Sequence, residues 1–341
     1  NGVGSTCFCF IDKNSYDGYN NHSLRPFLLG EKRWNKMQLK RRALLLLCVW
    51  MALVVAMGSF AAQAQEVSSG VTFKDTVDEG IQPNAVEVPI LMYHDLVEDA
   101  DDPSISRDIM WVGQFRRQME LLLDHGFEPI LFDQLIAFCK EGEELPSKPV
   151  IVTFDDGYSS FYELAFPILK ELSIQATVFP IGVSVGKDTY KDTGISIIPH
   201  FNWQQAQEMA SSGLVSIQSH SYDMHQWAPY EVGNPEVRIT AVQQPWETDA
   251  EYALALQLDL TKSRQDIYLA IGEKPVVYSY PSGAHTERSE ELLAEAGMEC
   301  TVTIQGGKAQ VRPGVAESLY GLNRFYITPD VTDEKFLEMV K

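Results

Sequence analysis

Apolar and polar positions along residues 88–341 alternate between a strand-like and a helix-like period. Short apolar runs typical of buried strands lie near residues 89–93, 127–130, 150–154, 176–180, 214–219, 276–280 and 300–304. Helical segments separate most of these runs, and repeated strand–helix units are typical of a parallel sheet. We therefore expect an α/β fold of about seven βα units that forms a distorted, incomplete (β/α) barrel with one catalytic domain.

Capping residues predict where several helices begin and end. Ser160 with Glu163 and Thr248 with Glu251 have the spacing of capping boxes, and Asn202 is placed to open another helix. Glycines then predict helix ends at positions 213, 272 and 297. Pro167 is expected to split the helical segment 160–172 into two pieces.

Two adjacent carboxylates, Asp155 and Asp156, end the apolar run that starts at residue 149. Ligands of α/β folds bind at the carboxyl ends of parallel strands. Two neighbouring ionised carboxylates raise one pKa unless a positive charge stabilises both. A divalent cation would supply that charge, and we assign Asp156 to the metal and Asp155 to the role of general base.

The string His220-Ser-Tyr-Asp-Met-His225 offers two imidazoles to the same cation. Residues five apart on a helix lie about 140° from each other around the axis, so these histidines cannot share a helical face. Residues 214–219 instead predict a strand that places His220 at its end, with a loop that returns His225. Asp156, His220 and His225 then form a His₂Asp metal site with one coordination position open to water, as in catalytic zinc sites. Zn²⁺ is the expected ion, and Co²⁺, Ni²⁺ or Fe²⁺ are chemically admissible.

The chain at this point resembles the polysaccharide deacetylases with a NodB homology domain, also called carbohydrate esterase family 4. Residues 153–158, Thr-Phe-Asp-Asp-Gly-Tyr, match the first motif of that family, and His220-Ser221 matches the start of the second. The second histidine stands at position 225 rather than 224, which is similar to the branch that deacetylates exported poly-N-acetylglucosamine. Residues 278–283 resemble the third motif without its usual arginine, and the C-terminal histidine motif is absent. The resemblance covers roughly residues 88–305 and implies the same barrel fold.

The absence of that C-terminal histidine leaves the general acid open between two residues. His94 follows the first predicted barrel strand and resembles an early histidine of the poly-N-acetylglucosamine branch. His285 follows the third motif, and of the two we favour His94 as the acid.

Four residues are predicted to contact substrate. The backbone N–H of Tyr158 is placed to stabilise an oxyanion, and the resemblance assigns Tyr280 and Pro281 to the substrate site. Trp227 lies in the long segment 220–247, where its ring is expected either to stack on sugar or to pack within the loop.

The beginning of the chain predicts export. Residues 1–36 lack hydrophobic periodicity and are expected to be a non-native upstream extension or disordered. Residues 37–64 combine basic residues, an apolar stretch and Ala-Gln-Ala, the pattern of a cleavable signal peptide, although an uncleaved membrane anchor stays open. Residues 65–87 predict a linker to a catalytic domain at 88–341, which would be secreted or held at the cell surface.

Charge restricts the partners of the exported part. Residues 65–341 contain nineteen Lys and Arg against forty-four Asp and Glu, a formal balance of −25. Nucleic acid and anionic lipid are poor partners for such a surface. The expected partner is a polysaccharide that becomes cationic as its acetyl groups are removed.

The function expected from these features is metal-dependent removal of N-acetyl groups from an extracellular or cell-wall polysaccharide that contains N-acetylglucosamine. One alternative is an esterase that removes O-acetyl groups from acetylated xylan through similar tetrahedral intermediates. A non-catalytic carbohydrate-binding relative and a hydrolase of small cyclic amides are further alternatives, and the intact acidic and histidine residues disfavour the former.

Overall fold

The computed structural model describes residues 84–341, so the predictions for residues 1–36, 37–64 and most of 65–87 lie outside the described residues. Strand β1 (Val86–Val88) pairs antiparallel with β11 (Ala309–Val311), so the folded domain begins before the predicted boundary at residue 88. Across residues 84–341, none of the helices combines the length and the apolar character that a bilayer crossing requires.

Seven parallel strands form the central barrel: β2 (Ile90–Tyr93), β6 (Pro149–Asp156), β7 (Ala176–Pro180), β8 (Val215–Ile217), β9 (Val277–Ser279), β10 (Cys300–Val302) and β12 (Phe325–Tyr326). The continuous part of the sheet has the order β12-β2-β6-β7-β8, and β9 pairs with β10. Single bridges between Ser219 and Tyr278 and between Val302 and Leu322 connect the two parts. The barrel is therefore distorted at two joints, in agreement with the predicted architecture.

All seven predicted strands are present, but one of them does not belong to the barrel. The strand expected at 127–130 is reduced to β5 (Glu128–Pro129), which pairs only with the start of β6. The seventh strand of the barrel is instead β12, which pairs with β2 and was not predicted from the sequence. A further short pair, β3 (Asp95–Val97) and β4 (Ile109–Trp111), follows directly after β2.

Helices cover the outside of the barrel: α1 (Val112–Asp124), α2 (Phe132–Glu141), α3 (Phe166–Leu172), α4 (Trp203–Ser211), α5 (Asp249–Ile271), α6 (Glu287–Glu295) and α7 (Asp333–Val340). A π-helix (Phe161–Ala165) precedes α3, and 3₁₀ turns occur at Gly182–Ser184, Ala228–Tyr230, Pro281–Gly283 and Ala316–Leu319. The predicted caps Asn202 and Thr248 are confirmed, because each side chain accepts a hydrogen bond from the third residue of its helix. The segment 160–172 changes from the π-helix to α3 one residue before Pro167, but the backbone stays helical across this boundary, so Pro167 does not break the segment as predicted.

The predicted capping box at Ser160 is wrong. Ser160 already has helical backbone angles, φ −58° and ψ −28°, so it cannot act as an N-cap. Its hydroxyl instead donates to Asp95 at 2.6 Å and accepts the Leu96 N–H at 3.1 Å. Ser160 thereby connects the start of the π-helix to the segment after β2.

The core places the end of β6 rigidly. All eight residues of β6 are buried, as expected for a parallel strand covered on both faces. Phe154 packs against Phe115 and Phe161, with ring centroids 5.3 Å and 4.8 Å away. Burial of each such side chain contributes about 1.5–3 kcal/mol to folding. The two aspartates that follow Phe154 therefore start from a well-fixed backbone.

Candidate metal centre

The end of β6 points its two aspartates in different directions. Asp155 continues the strand and lies inside the barrel with Thr153, while Asp156 has φ +67° and ends the strand. Left-handed backbone is uncommon for a residue other than glycine and is found where the surrounding structure enforces it. The next residue, Gly157, has φ +87°, and an added Cβ would lie 2.8 Å from Cβ of Pro180. Glycine is therefore required in this turn.

His220 follows β8 and is held as a neutral imidazole. Its Nδ1 lies 2.8 Å from the Ser279 carbonyl oxygen, so this nitrogen carries the proton and Nε2 keeps its lone pair. Burial lowers the pKa of His220 to about 4, although the nearby carboxylate of Asp155 acts in the opposite direction. A neutral histidine with a fixed tautomer is the form that binds metal.

Asp156, His220 and His225 come together as the sequence analysis expected. Each offers one ligand atom, and the three atoms lie within 4.8 Å of one another. Oδ1 of Asp156 lies 3.5 Å from Nε2 of His220 and 3.8 Å from Nε2 of His225. Two atoms that each coordinate a tetrahedral ion at about 2.1 Å are about 3.4 Å apart.

The donor set fits a divalent cation better than it fits hydrogen bonding. Oδ1 of Asp156 is buried and has no hydrogen-bond partner within the described chain. Burial raises the pKa of Asp156, but the electrostatic influence of His94 and His225 outweighs it and lowers the pKa overall. An ionised, unpartnered carboxylate oxygen beside two imidazole nitrogens is the arrangement a His₂Asp site needs.

Asp155 is paired with a residue that the sequence analysis missed, Arg324. The Arg324 side chain is fully buried, and its Nη1 and Nη2 donate to Oδ1 and Oδ2 of Asp155 at 2.7 and 2.6 Å. Ser279 adds a hydrogen bond to Oδ2 at 3.1 Å. Burial alone would raise the pKa of Asp155, but the guanidinium holds it well below its usual range. Asp155 is therefore an oriented, ionised carboxylate.

Arg324 lies 169 residues from Asp155 in the sequence. It stands just before β12, far along the chain from Asp155, and reaches the barrel interior because β12 lies next to β2 and β2 lies next to β6. The one sequence feature that could have indicated Arg324 is its position directly before the apolar pair Phe325-Tyr326. A charged residue at the start of an unrecognised strand gave no spacing that could connect it to Asp155.

A cleft of about 290 Å³ opens beside the metal-binding residues, and it is lined by Asp156, Tyr158, Ile181, His225, Gln226, Trp227, Ala228 and Ile239. Two of the predicted substrate contacts, Tyr158 and Trp227, are therefore at the cleft. The Trp227 side chain is 61% exposed, so its ring is available to a ligand. The neighbouring Gly157 and Ser159 donate their N–H groups to the carbonyls of Asp155 and Pro199, at 2.8 Å in each case.

The two candidate acids lie in different surroundings. His94 is partly buried, its ring stacks on Tyr326 at 5.0 Å, and it lies close enough to both aspartates to lower their pKa values. His285 is exposed, and its Nδ1 lies 3.2 Å from the Gly283 carbonyl oxygen. His94 therefore lies near the two aspartates, whereas His285 faces solvent.

Tyr280 and Pro281 do not line the cleft, contrary to the prediction. Tyr278 and Tyr280 are both fully buried in a cluster with side chains of α5 and α6, whereas Ser279 points inward to Asp155. Successive side chains of a strand alternate between its two faces, so one face of β9 serves the active site and the other serves packing. Pro281 is likewise buried, at the start of a 3₁₀ turn.

Comparison with known proteins finds similarity to one family of enzymes. Residues 142–301 match the family model for polysaccharide deacetylases. The chain is 26% identical over 261 residues to a poly-β-1,6-N-acetyl-D-glucosamine N-deacetylase of Escherichia coli K12, covering 73% of this chain and 38% of that protein. Residues 142–301 of the described domain are therefore similar to polysaccharide deacetylases.

Solved structures agree on the fold. The de-N-acetylase of Aggregatibacter actinomycetemcomitans superposes with a TM-score of 0.63 at 24% identity, covering 74% of this chain and 100% of that one. IcaB of Ammonifex degensii gives a TM-score of 0.59 at 25% identity, with 76% and 97% covered. The chain thus spans the whole length of these structures but little more than a third of the E. coli relative.

Proposed function

We propose that this chain is a metal-dependent hydrolase that removes N-acetyl groups from an N-acetylglucosamine-containing polysaccharide outside the cell. The observation that carries the proposal is the meeting of Asp156, His220 and His225 beside the oriented carboxylate of Asp155. The name of the E. coli relative supports poly-β-1,6-linked N-acetylglucosamine as the polymer. The signal-like pattern of residues 37–64 supports export.

Asp156, His220 and His225 would hold one divalent ion, for which Zn²⁺ is our first choice. When bound, such an ion polarises a carbonyl oxygen and makes water more acidic. Oδ1 of Asp155 accepts one hydrogen bond, from Arg324, while Oδ2 accepts two. Each carboxylate oxygen has two acceptor sites. Oδ1 therefore keeps a lone pair for the proton of the attacking water.

The remaining steps belong to residues around the cleft. The backbone N–H of Tyr158, which enters no hydrogen bond within the described chain, donates to the developing oxyanion, and such a donor is worth about 3 kcal/mol. His94 protonates the departing amine. Trp227 offers its exposed ring to a sugar face. The cleft volume of about 290 Å³ is at the small end of ligand sites and suits one sugar unit of a longer polymer.

The test is acetate release from β-1,6- and β-1,4-linked N-acetylglucosamine oligomers and from acetylated xylan, with and without a chelator. We expect release from an N-acetylated substrate, loss with the chelator, and recovery on adding Zn²⁺. Asp155→Asn should lower the rate at least a hundredfold, while Asp124→Asn, an exposed change at the end of α1, should not. Release from xylan alone would favour the esterase, and release unaffected by chelator and by Asp155→Asn would refute the proposal.

A further inference from the structure

The loop between the two metal-binding histidines is held by a carboxylate outside the metal centre. Asp259, on helix α5, accepts the Tyr222 N–H on Oδ1 at 2.8 Å and the Asp223 N–H on Oδ2 at 2.7 Å. Each carboxylate oxygen thus receives one of two successive peptide groups. Asp259 contacts neither His220 nor His225, so any effect it has on the metal must pass through the backbone.

This loop has a conformation that it would not adopt unaided. Ser221 has φ +68°, which is unfavourable for a residue with a Cβ. Its hydroxyl accepts the Met224 N–H at 3.1 Å, which covers one amide of the turn, but the amides of Tyr222 and Asp223 depend on Asp259. A residue in left-handed backbone persists only where its surroundings fix it. Asp259 supplies part of that constraint midway between the two ligands, and the N–H groups of Gly182 and Val183 supply the rest by donating to the carbonyls of Ser221 and Tyr222 at 3.1 and 2.9 Å.

The same face of α5 also contacts the residue before the first ligand. The Ser263 hydroxyl lies 2.8 Å from the Ser219 hydroxyl, and both residues are buried. Ser263 is one turn after Asp259, so the two side chains lie together on the helix surface. Leu256, Leu260 and Ile267 anchor this face in the core. The helix therefore offers a rigid support for residues 219–223.

We propose that Asp259 is a positioning residue for the metal centre, which fixes the turn at residues 221–223 so that His225 meets Asp156 and His220. The proposal rests on the proposed metal-dependent function. Groups that orient metal ligands from outside typically contribute tenfold to a hundredfold to metal affinity. Removing the second acceptor oxygen of Asp259 is therefore expected to lower the affinity for the metal ion, and not only the stability of the fold.

The test compares Zn²⁺ affinity in Asp259→Asn with the wild-type chain, measured by competition with a chromophoric chelator. The asparagine keeps one acceptor oxygen but turns an N–H₂ group toward the second backbone N–H. We expect the dissociation constant for Zn²⁺ to rise roughly tenfold to a hundredfold, and kcat at saturating Zn²⁺ to fall more than KM changes. Asp249→Asn is the control, because that residue starts the same helix but pairs with Arg288.

Thermal unfolding of each metal-free variant shows whether a loss of Zn²⁺ affinity is accompanied by a loss of fold stability. If Asp259→Asn does not fold, Asp259→Glu replaces it, since it keeps both oxygens but displaces them, and its Zn²⁺ affinity should fall below the wild-type value. Wild-type affinity in a folded Asp259 variant would overturn the positioning role alone. A wild-type chain that binds no Zn²⁺ would overturn the proposed function, and the positioning role with it.

Discussion

Replacing Arg324 by methionine removes a guanidinium whose five N–H donors all have acceptors in the structure. Besides the two bonds to Asp155, Nη1 donates to the Thr153 hydroxyl at 3.1 Å, Nη2 to the Ser279 hydroxyl at 2.9 Å, and Nε to the Thr303 carbonyl at 2.8 Å. Arginine has five such donors, so none is left unsatisfied. The substitution leaves a carboxylate in the barrel interior without its counter-charge.

The expected cost follows from the burial of both partners. The side chains of Arg324 and Asp155 are 0% and 3% exposed, so solvent does not screen their interaction. Removing one member of a buried ion pair destabilises proteins by about 3–5 kcal/mol, because the remaining charge is uncompensated. Removing both charges should destabilise the protein less than removing one. The double variant Asp155→Asn/Arg324→Met is therefore expected to have a free energy of unfolding about 2 kcal/mol higher than that of Arg324→Met.

Urea unfolding at pH 7, in the presence of a chelator so that every variant is metal-free, measures these free energies. Arg116→Met is a matched control, because Arg116 makes the same two-pronged contact with Glu171, at 3.0 and 2.6 Å, on the surface. That exposed pair should contribute no more than about 1 kcal/mol. If Arg324→Met lowers the free energy of unfolding as little as the control does, or if the effects of Asp155→Asn and Arg324→Met simply add in the double variant, the buried pair does not have the stabilising role described.

Three further predictions concern other groups. Burial raises the pKa of Glu290 to about 7, so the folded state binds this proton more tightly than the unfolded state. The stability that depends on this proton is fully present at acidic pH and is lost as the pH rises toward 7. Between pH 5 and pH 8 the free energy of unfolding of the wild type should therefore fall by up to about 3 kcal/mol relative to that of Glu290→Gln, measured by chemical unfolding. Parallel plots of this free energy against pH for the two proteins would contradict the prediction. Trp227→Ala should raise KM for N-acetylglucosamine oligomers about tenfold with kcat nearly unchanged, and a fall in kcat alone would argue against stacking. His94→Gln should lower kcat by about 10²–10⁴ and His285→Gln should not; the reverse result would reassign the general acid.

The buried strands and the metal-binding residues could be predicted because their signals are local. The apolar run before Asp155 and Asp156 and the spacing of His220 and His225 each fall within a few residues of sequence. A parallel strand that is buried on both faces has to be continuously apolar, and its end has to be where polar chemistry starts. These constraints apply to any parallel sheet, so the positions of the strands and the convergence of the metal-binding residues could be predicted from them.

The features that escaped prediction depend on contacts between distant segments. Arg324 reaches Asp155 only because β12 lies next to β2, and β12 is too short to show a period of its own. Tyr280 was misplaced because the outward face of β9 is defined by α5 and α6, which the motif does not contain. The Ser160 capping box failed because Ser160 already has helical backbone angles and its hydroxyl accepts the Leu96 N–H instead. In each case a tertiary partner outweighed a local pattern.

Anomalous X-ray diffraction from crystals grown with Zn²⁺, recorded on both sides of the zinc absorption edge, would show whether Asp156, His220 and His225 hold a metal ion. We expect one strong peak in the barrel mouth, about 2.0–2.2 Å from Oδ1 of Asp156 and from Nε2 of both His220 and His225. Asp259 should contact none of the metal's ligands. A zinc peak elsewhere with these three atoms unligated, or no peak at saturating Zn²⁺, would show that these residues do not form a metal centre.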